Sequence, residues 1–281
     1  MNNSPPSFQS YWDNMTDEVA ELAGSKVEIK PLPMRSNENS NAYSVQFTGV
    51  EDYPLFGYLS IPLHGEHFAG LLQTPSYGSV VGLPSYERRA KYVVLALSHR
   101  GQRLSDQPFA ASYPGLLTEG LPEADTYIWR NIVADCLRAF DILKNIDSVE
   151  TSRLAVTGND LALITASFRE EISTLIAGQL LFRGTSERLT NLNSYPLKEL
   201  TDFVKHNPNL ESQVAQTLAL FDPVAFVSRT KAETLVTCSN TDLERMRALE
   251  NKTTRSIKIK VESGRGFLDL QYTENWLAQH L

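Results

Sequence analysis

The sequence predicts a doubly wound, mostly parallel α/β sheet, extended at its start by antiparallel strands and preceded by a helix. Three observations carry this. Six short runs, FAGLLQ, YVVLAL, RLAVTG, TLIAGQL, ETLVTC and SIKIKV, are mostly continuous in apolar residues, as expected of parallel strands covered on both faces. Helical patterns separate most of them, and right-handed crossovers then give one sheet with helices on both sides. Two earlier runs alternate instead: Tyr43, Val45 and Phe47 are spaced by polar residues, and GYLSIP over 57–62 ends a second such run. They read as paired antiparallel strands with one wet face.

The elements follow in order. Phe8, Tyr11, Trp12, Met15, Val19 and Leu22 recur three or four apart and predict an amphipathic helix over 8–22. The Asn- and Ser-rich stretch 37–41 reads as a loop or linker. A helix over 126–144 has Asp125 as its N-cap and Tyr127, Ile128, Ile132, Ala139 and Leu143 near one stripe. The expected organisation is a single domain over 1–281, with residues 1–42 forming a helix and linker packed on it.

Composition excludes several classes. The chain has 281 residues, 42% hydrophobic and 21% charged, which is ordinary globular usage rather than disordered or collagenous. There is no repeat with a period of 20 to 50 residues. With 26 basic against 33 acidic residues the net charge is −7, so no general field attracts nucleic acid or an anionic membrane. Residues 1–10, MNNSPPSFQS, lack the basic start and apolar stretch of a secretory signal, and apolar runs such as 92–97 are too short to span a bilayer. A cytoplasmic location follows as the expectation. Cys136 and Cys238 have no metal-type spacing and offer no disulfide framework, and no metal or cofactor is expected.

In a doubly wound sheet the functional groups gather beyond the carboxyl ends of the strands. Three turns there stand out. VTGNDLALITA over 156–166 runs from a strand through glycine into an apolar helix, the shape of a nucleophile elbow, with Asp160 where G-x-S-x-G carries its serine. Simple helix capping by Asp160 is the other reading. Asp242 follows ETLVTC in the order of a triad acid, and it too has a capping alternative. The turn after SIKIKV should hold a histidine base and holds VESGRGF. Of His64, His67, His99, His206 and His280, only the penultimate residue His280 comes after Asp242.

At these residues the chain resembles the acetyl xylan esterases and cephalosporin C deacetylases of carbohydrate esterase family seven, over nearly its whole length. SHRGQ at 98–102 contains the family's R-G-Q signature. YPGLLTEGL at 113–121 and DTYIWR at 125–130 look like two further blocks, continued by Asp135, Arg138 and Ala139. FDPVAFVSR at 221–229 and the opening YWDNM are similar to two more. The resemblance implies an α/β-hydrolase fold, ring-like homo-oligomers and ester hydrolysis by a Ser-His-Asp triad.

The catalytic blocks depart from that pattern. The family's G-G-S-Q-G is Gly158-Asn159-Asp160-Leu161-Ala162 here, and its terminal H-E falls within Ser263-Gly264-Arg265-Gly266. Losing the serine or the histidine removes the covalent route. The expectation is therefore a protein that has lost ester hydrolysis, with Arg265 paired to Asp160 or Asp242; Arg265 as a plain surface residue is the alternative. Oxyanion donors are expected near Thr74 and Leu161. A retained pocket for an acetylated, sugar-like small molecule would be lined by Tyr77, Tyr113, Tyr127 and Arg183, with Arg100 and Gln102 of the R-G-Q block nearby; the alternative is a structural role in an oligomer, with the pocket filled by Leu161 and its neighbours. The rival reading is an active ester hydrolase, using Asp160, Ser76, Ser263 or a histidine donated by a neighbouring subunit from the His64–His67 loop.

Overall fold

The computed structural model describes residues 7–253 and 257–281. Among them nine strands form one sheet in the order β1-β2-β3-β5-β4-β6-β7-β8-β9. The strands are β1 (Val27–Pro31), β2 (Ser40–Thr48), β3 (Pro54–Pro62), β4 (Phe68–Gln73), β5 (Val93–Ser98), β6 (Val149–Gly158), β7 (Thr174–Gly178), β8 (Glu233–Cys238) and β9 (Ile257–Val261). The first three pair antiparallel and β3 continues antiparallel onto β5; from β5 to β9 every pairing is parallel. All six continuous apolar runs became parallel strands, and Ser256 at the head of SIKIKV lies outside the described residues. No helix among the described residues is long and apolar enough to cross a membrane.

The opening helix α1 (Phe8–Glu21) buries the stripe its spacing implied. Trp12 is fully buried, donates its indole N–H to the Leu220 carbonyl at 3.1 Å, and meets Phe221 and Phe226 edge-on. The stretch 37–41 is a turn between strands rather than a linker. The Asn37 side chain accepts from the N–H groups of Asn39 and Ser40 at 2.8 and 2.9 Å, and β1 returns antiparallel along β2. The helix predicted over 126–144 is α3 (Ile128–Leu143), capped at Tyr127 rather than Asp125. The shift has a physical cause: Thr126 bonds Gly120 and the Ile128 N–H reaches Glu119, so this segment is drawn into a preceding turn.

Arg100 joins these parts. Its guanidinium is 2% exposed and forks onto Asp135 of α3, with Nη2–Oδ1 at 2.8 Å and Nε–Oδ2 at 3.1 Å. It also donates to the Val50 carbonyl at 3.3 Å and lies 4.7 Å over the Tyr53 ring. Burial alone would lower its pKa; Asp135, helped by Glu51, outweighs that and raises it. The next residue, Gly101, has φ +86, and a Cβ there would come within 2.7 Å of Phe109. Arg100 therefore fixes the turn after β5 to α3, a buried tie rather than the ligand contact its assignment as a binding residue implied.

Cutting this pair from one side leaves a buried, uncompensated cation. In urea unfolding, Asp135→Ala is expected to lose about 3–5 kcal/mol. An apolar double replacement, Arg100→Met with Asp135→Leu, is expected to recover most of that loss. An Asp135→Ala loss below about 1 kcal/mol, the level of an exposed pair, would contradict the assignment.

Candidate functional site

Beyond the carboxyl ends of β4, β6, β7 and β8 lie two adjoining cavities of about 470 and 370 Å³, sharing Thr74, Ser76, Gly158 and Gly178. In the larger, Arg88 of α2 (Tyr86–Lys91) pairs with Glu274 of α9 (Gly266–His280) at 2.7 Å. Its guanidinium also donates to Gln73 and Thr157, each at 3.3 Å. The smaller is walled by Tyr77, Tyr195, Asn159, Gln179 and Glu262. A third cavity, of about 570 Å³, lies beyond Tyr195 and Glu262 and contains Asp242.

The elbow is the turn from β6 into α4 (Asp160–Phe168). A Cβ at Gly158 would collide with the Thr74 hydroxyl, so glycine is required for β6 to come this close to β4. Asn159 follows as N-cap; its Oδ1 accepts from the Leu161 N–H at 3.1 Å and the residue lines the smaller cavity. Asp160 faces the other way. It is 1% exposed, and its two carboxylate oxygens accept from the backbone N–H groups of Leu181 at 2.7 Å and Phe182 at 3.1 Å. Burial pushes its pKa from 3.8 up to about 7, against the pull of those two donors and with some repulsion from Asp222. The residue presented to the cleft at the elbow is thus Asn159, one position before the one the sequence singles out.

The expected oxyanion donors are occupied. The Thr74 N–H donates to the Thr157 carbonyl at 2.9 Å, and the Leu161 N–H is held by Asn159. Thr74 does line both cavities, while Leu161 is 1% exposed and belongs to the core. The proposed Arg265 pairing is corrected: Arg265 is exposed, Asp160 uses backbone donors, and Asp242 pairs with Arg245 and accepts from Ser239 at 2.7 Å. Ser263 shapes the turn before α9, its N–H donating to Asp269 at 2.8 Å and its hydroxyl accepting from the Arg265 N–H at 3.2 Å.

Of the remaining candidates, Ser76 and Tyr77 line the smaller cavity; the Tyr77 side chain is the one held from behind. Its hydroxyl donates to Glu199 of α5 (Lys198–His206), whose other oxygen accepts the N–H groups of Gly115 at 2.8 Å and Leu117 at 3.3 Å. Tyr113 packs edge-on behind Tyr77, with ring centroids 5.1 Å apart. Gln102 positions the loop below: its amide N–H₂ donates to the Ser76 and Gly78 carbonyls at 3.2 and 2.7 Å. Tyr127 is 1% exposed, donates to the Leu117 carbonyl and meets Phe221 edge-on, so its assignment as a lining residue is corrected to core. Arg183 is likewise corrected: it holds Asp222 at 3.3 Å and the Arg245 carbonyl at 3.2 Å, outside these cavities.

Four residues escaped the sequence reading: Asn159, Gln179, Tyr195 and Glu262. Glu262 was the most accessible of them, as the residue directly after the last strand, where functional groups of this sheet type collect. Gln179 adopts φ +51 just after β7. None of the five histidines lines either cavity; His99 is buried with Nδ1 2.6 Å from the Arg100 carbonyl, and burial lowers its pKa to about 4. Among the described residues, no group of His, Cys, Asp or Glu is placed to hold a metal ion.

The strand order, the elbow and the cleft beyond it define an α/β-hydrolase fold. Solved structures agree. An acetyl xylan esterase from Paenibacillus sp. R4 superimposes with a TM-score of 0.83 at 22% identity, covering 99% of this chain and 96% of that one. Acetyl xylan esterase 1 from Thermoanaerobacterium sp. JW/SL YS485 gives 0.80 at 22%, covering 97% and 94%. The acetyl xylan esterase (AXE1) family model matches residues 1–244, and the chain belongs to that family. Among curated proteins it is 21% identical over 256 residues to acetyl esterase Axe7A of Xylanibacter ruminicola. That match covers 85% of this chain and 57% of the relative, so the chain spans a little over half of that protein's length.

Asp160 makes stability depend on pH with a definite sign. A carboxyl raised from 3.8 to about 7 binds its proton more tightly when folded, so its contribution is most favourable below pH 4 and declines until about pH 7. His99, lowered to about 4, works in the opposite direction. The readout is therefore the difference between the unsubstituted protein and Asp160→Asn in urea unfolding from pH 4 to 8. It is expected to shift against the unsubstituted protein by a few kcal/mol between pH 4 and 7 and to stay flat above. A difference constant across that range would contradict the placement of this carboxylate.

Proposed function

We propose that this member of the acetyl xylan esterase family recognises a small, sugar-like molecule in the cleft and does not hydrolyse esters by the serine–histidine route. One observation carries the reading: the elbow presents an amide, Asn159, while Asp160 is turned inward onto two backbone N–H groups. An amide is not activated as a nucleophile by any base near it. An aspartate nucleophile would also need an activated water to release its ester, yet none of the five histidines lines either cavity, and the buried His99 has Nδ1 against a carbonyl in the core. The occupied N–H groups of Thr74 and Leu161 further weaken stabilisation of a tetrahedral oxyanion.

Recognition is supported by what the cleft retains. Tyrosine faces, a side-chain amide, hydroxyls and a carboxylate around about 370 Å³ suit a polyhydroxylated ligand. Relatives named as acetyl xylan esterases and an acetyl esterase make an acetylated saccharide the natural starting class.

Hydrolysis of p-nitrophenyl acetate and of an acetylated xylo-oligosaccharide is the test, with Asp160→Ala and Asp160→Ser beside the unsubstituted protein. Rates equal to buffer in all three are expected. Turnover well above buffer by the unsubstituted protein overturns the loss of hydrolysis, and its disappearance in Asp160→Ala would assign the chemistry to that carboxylate.

A further inference from the structure

We propose that the ligand of the smaller cavity is cationic, and that its class is the amino sugar, a pyranose bearing a primary ammonium group. This rests on the recognition role above and adds the charge of what is recognised. The determining residue is Glu262, at the end of β9, which lines both the 370 Å³ cavity and its 570 Å³ neighbour. Its Oε1 accepts from the Thr237 hydroxyl at 3.0 Å; its Oε2 has no hydrogen-bond partner, and no cation pairs with it among the described residues.

Every other carboxylate bordering these cavities is already compensated. Glu274 has Arg88, Asp242 has Arg245, and Glu199 behind Tyr77 has a phenol and two backbone N–H groups. Of the arginines of the neighbouring cavity, Arg245 pairs with Asp242, and Arg188 keeps its charge but donates to the Gly184 and Arg183 carbonyls at 3.0 and 3.4 Å rather than to Glu262. Among the described residues the smaller cavity is lined by no lysine, arginine or histidine. A neutral ligand covering Glu262 would strip water from an uncompensated carboxylate, and an anion would add repulsion. An ammonium group offers Oε2 a charge-assisted hydrogen bond.

The tyrosines supply the second half of the argument. Tyr77 and Tyr195 stand at 76° with centroids 5.7 Å apart, forming a corner beside Glu262. Ring faces attract cations electrostatically and also accept the apolar C–H face of a sugar ring. Tyr77 is held from behind by Glu199 and Tyr113, so that wall is in place before the ligand arrives. The Asn159 amide and the Ser76 hydroxyl lie on the same cavity and suit ligand hydroxyls.

The test is ligand-observed NMR titration of the full chain with glucosamine, glucose and N-acetylglucosamine, at low salt and a pH at which the amine is protonated. Glucosamine is expected to bind at least about tenfold more tightly than either neutral sugar, with an affinity that falls as salt is added. Glu262→Gln is expected to abolish the preference while leaving the thermal midpoint of unfolding unchanged. Tyr195→Ala is expected to weaken all three sugars together. Neutral sugars binding as tightly as glucosamine, or a preference surviving in Glu262→Gln, overturns the charge assignment and leaves sugar recognition standing. Saturation by none of the three overturns both.

Discussion

The buried fork between Arg100 and Asp135 is the constraint on which the cleft depends. It ties the turn after β5 to α3 and, through Val50 and Tyr53, to the antiparallel end of the sheet. With Arg100 fixed and Gly101 turning the chain, Gln102 is delivered under the β4 loop, where it holds the carbonyls of Ser76 and Gly78 on either side of Tyr77. The three residues of the R-G-Q block thus position the loop that carries Tyr77. Losing Arg100 or Asp135 alone would leave a buried charge without its main partner.

The elbow makes the complementary point. Burying a carboxylate demands hydrogen bonds or a counter-charge, and an arginine fork from Arg265 was the natural expectation. The fold meets the demand with backbone instead, since the chain leaving β7 turns so that the N–H groups of Leu181 and Phe182 converge on Asp160. Two neutral donors are weaker partners than a guanidinium, and the carboxyl accordingly titrates near neutrality rather than in the acid range. Asp160 thereby helps to place the segment carrying Gln179 and Leu181, which lines the cleft.

Legibility in the sequence followed the strength of the local signal. The strands β4 to β8 were readable because their apolar runs are nearly continuous and buried on both faces, whereas β9, at the edge of the sheet, alternates Ile and Lys and is only partly buried. β1 was not readable: VEIKP is half-buried to exposed and reads as polar chain, although its register against β2 is regular. The elbow was located correctly as a segment, but the direction of one side chain was not recoverable. Successive residues at a strand-to-helix junction point to opposite sides, so a one-residue difference in where the helix starts exchanges Asn159 for Asp160. Tyr127 and Arg183 failed for another reason, because aromatic and basic residues near a cleft are as readily core packing and loop ties as ligand contacts. Glu262 stands directly before the Ser263–Gly266 stretch in which a histidine base is expected, and a single glutamate after a strand carries no motif of its own.

The wall of the smaller cavity at Tyr77 is braced from several sides. Glu199 simultaneously fixes Tyr77 and the N–H groups of Gly115 and Leu117, so one carboxylate coordinates a wall of the cavity with the loop beside it. Tyr113 closes against the back of that wall, and Asn159 caps the helix whose start it also exposes. A pocket with no remaining use would be free to fill with apolar side chains, which generally stabilises a fold more than buried polar groups do. Here polar groups are instead kept around the opening and tied to one another behind it. That arrangement would lower the ordering cost of binding a ligand there, and it keeps the framework that holds the walls separate from the residues of the elbow.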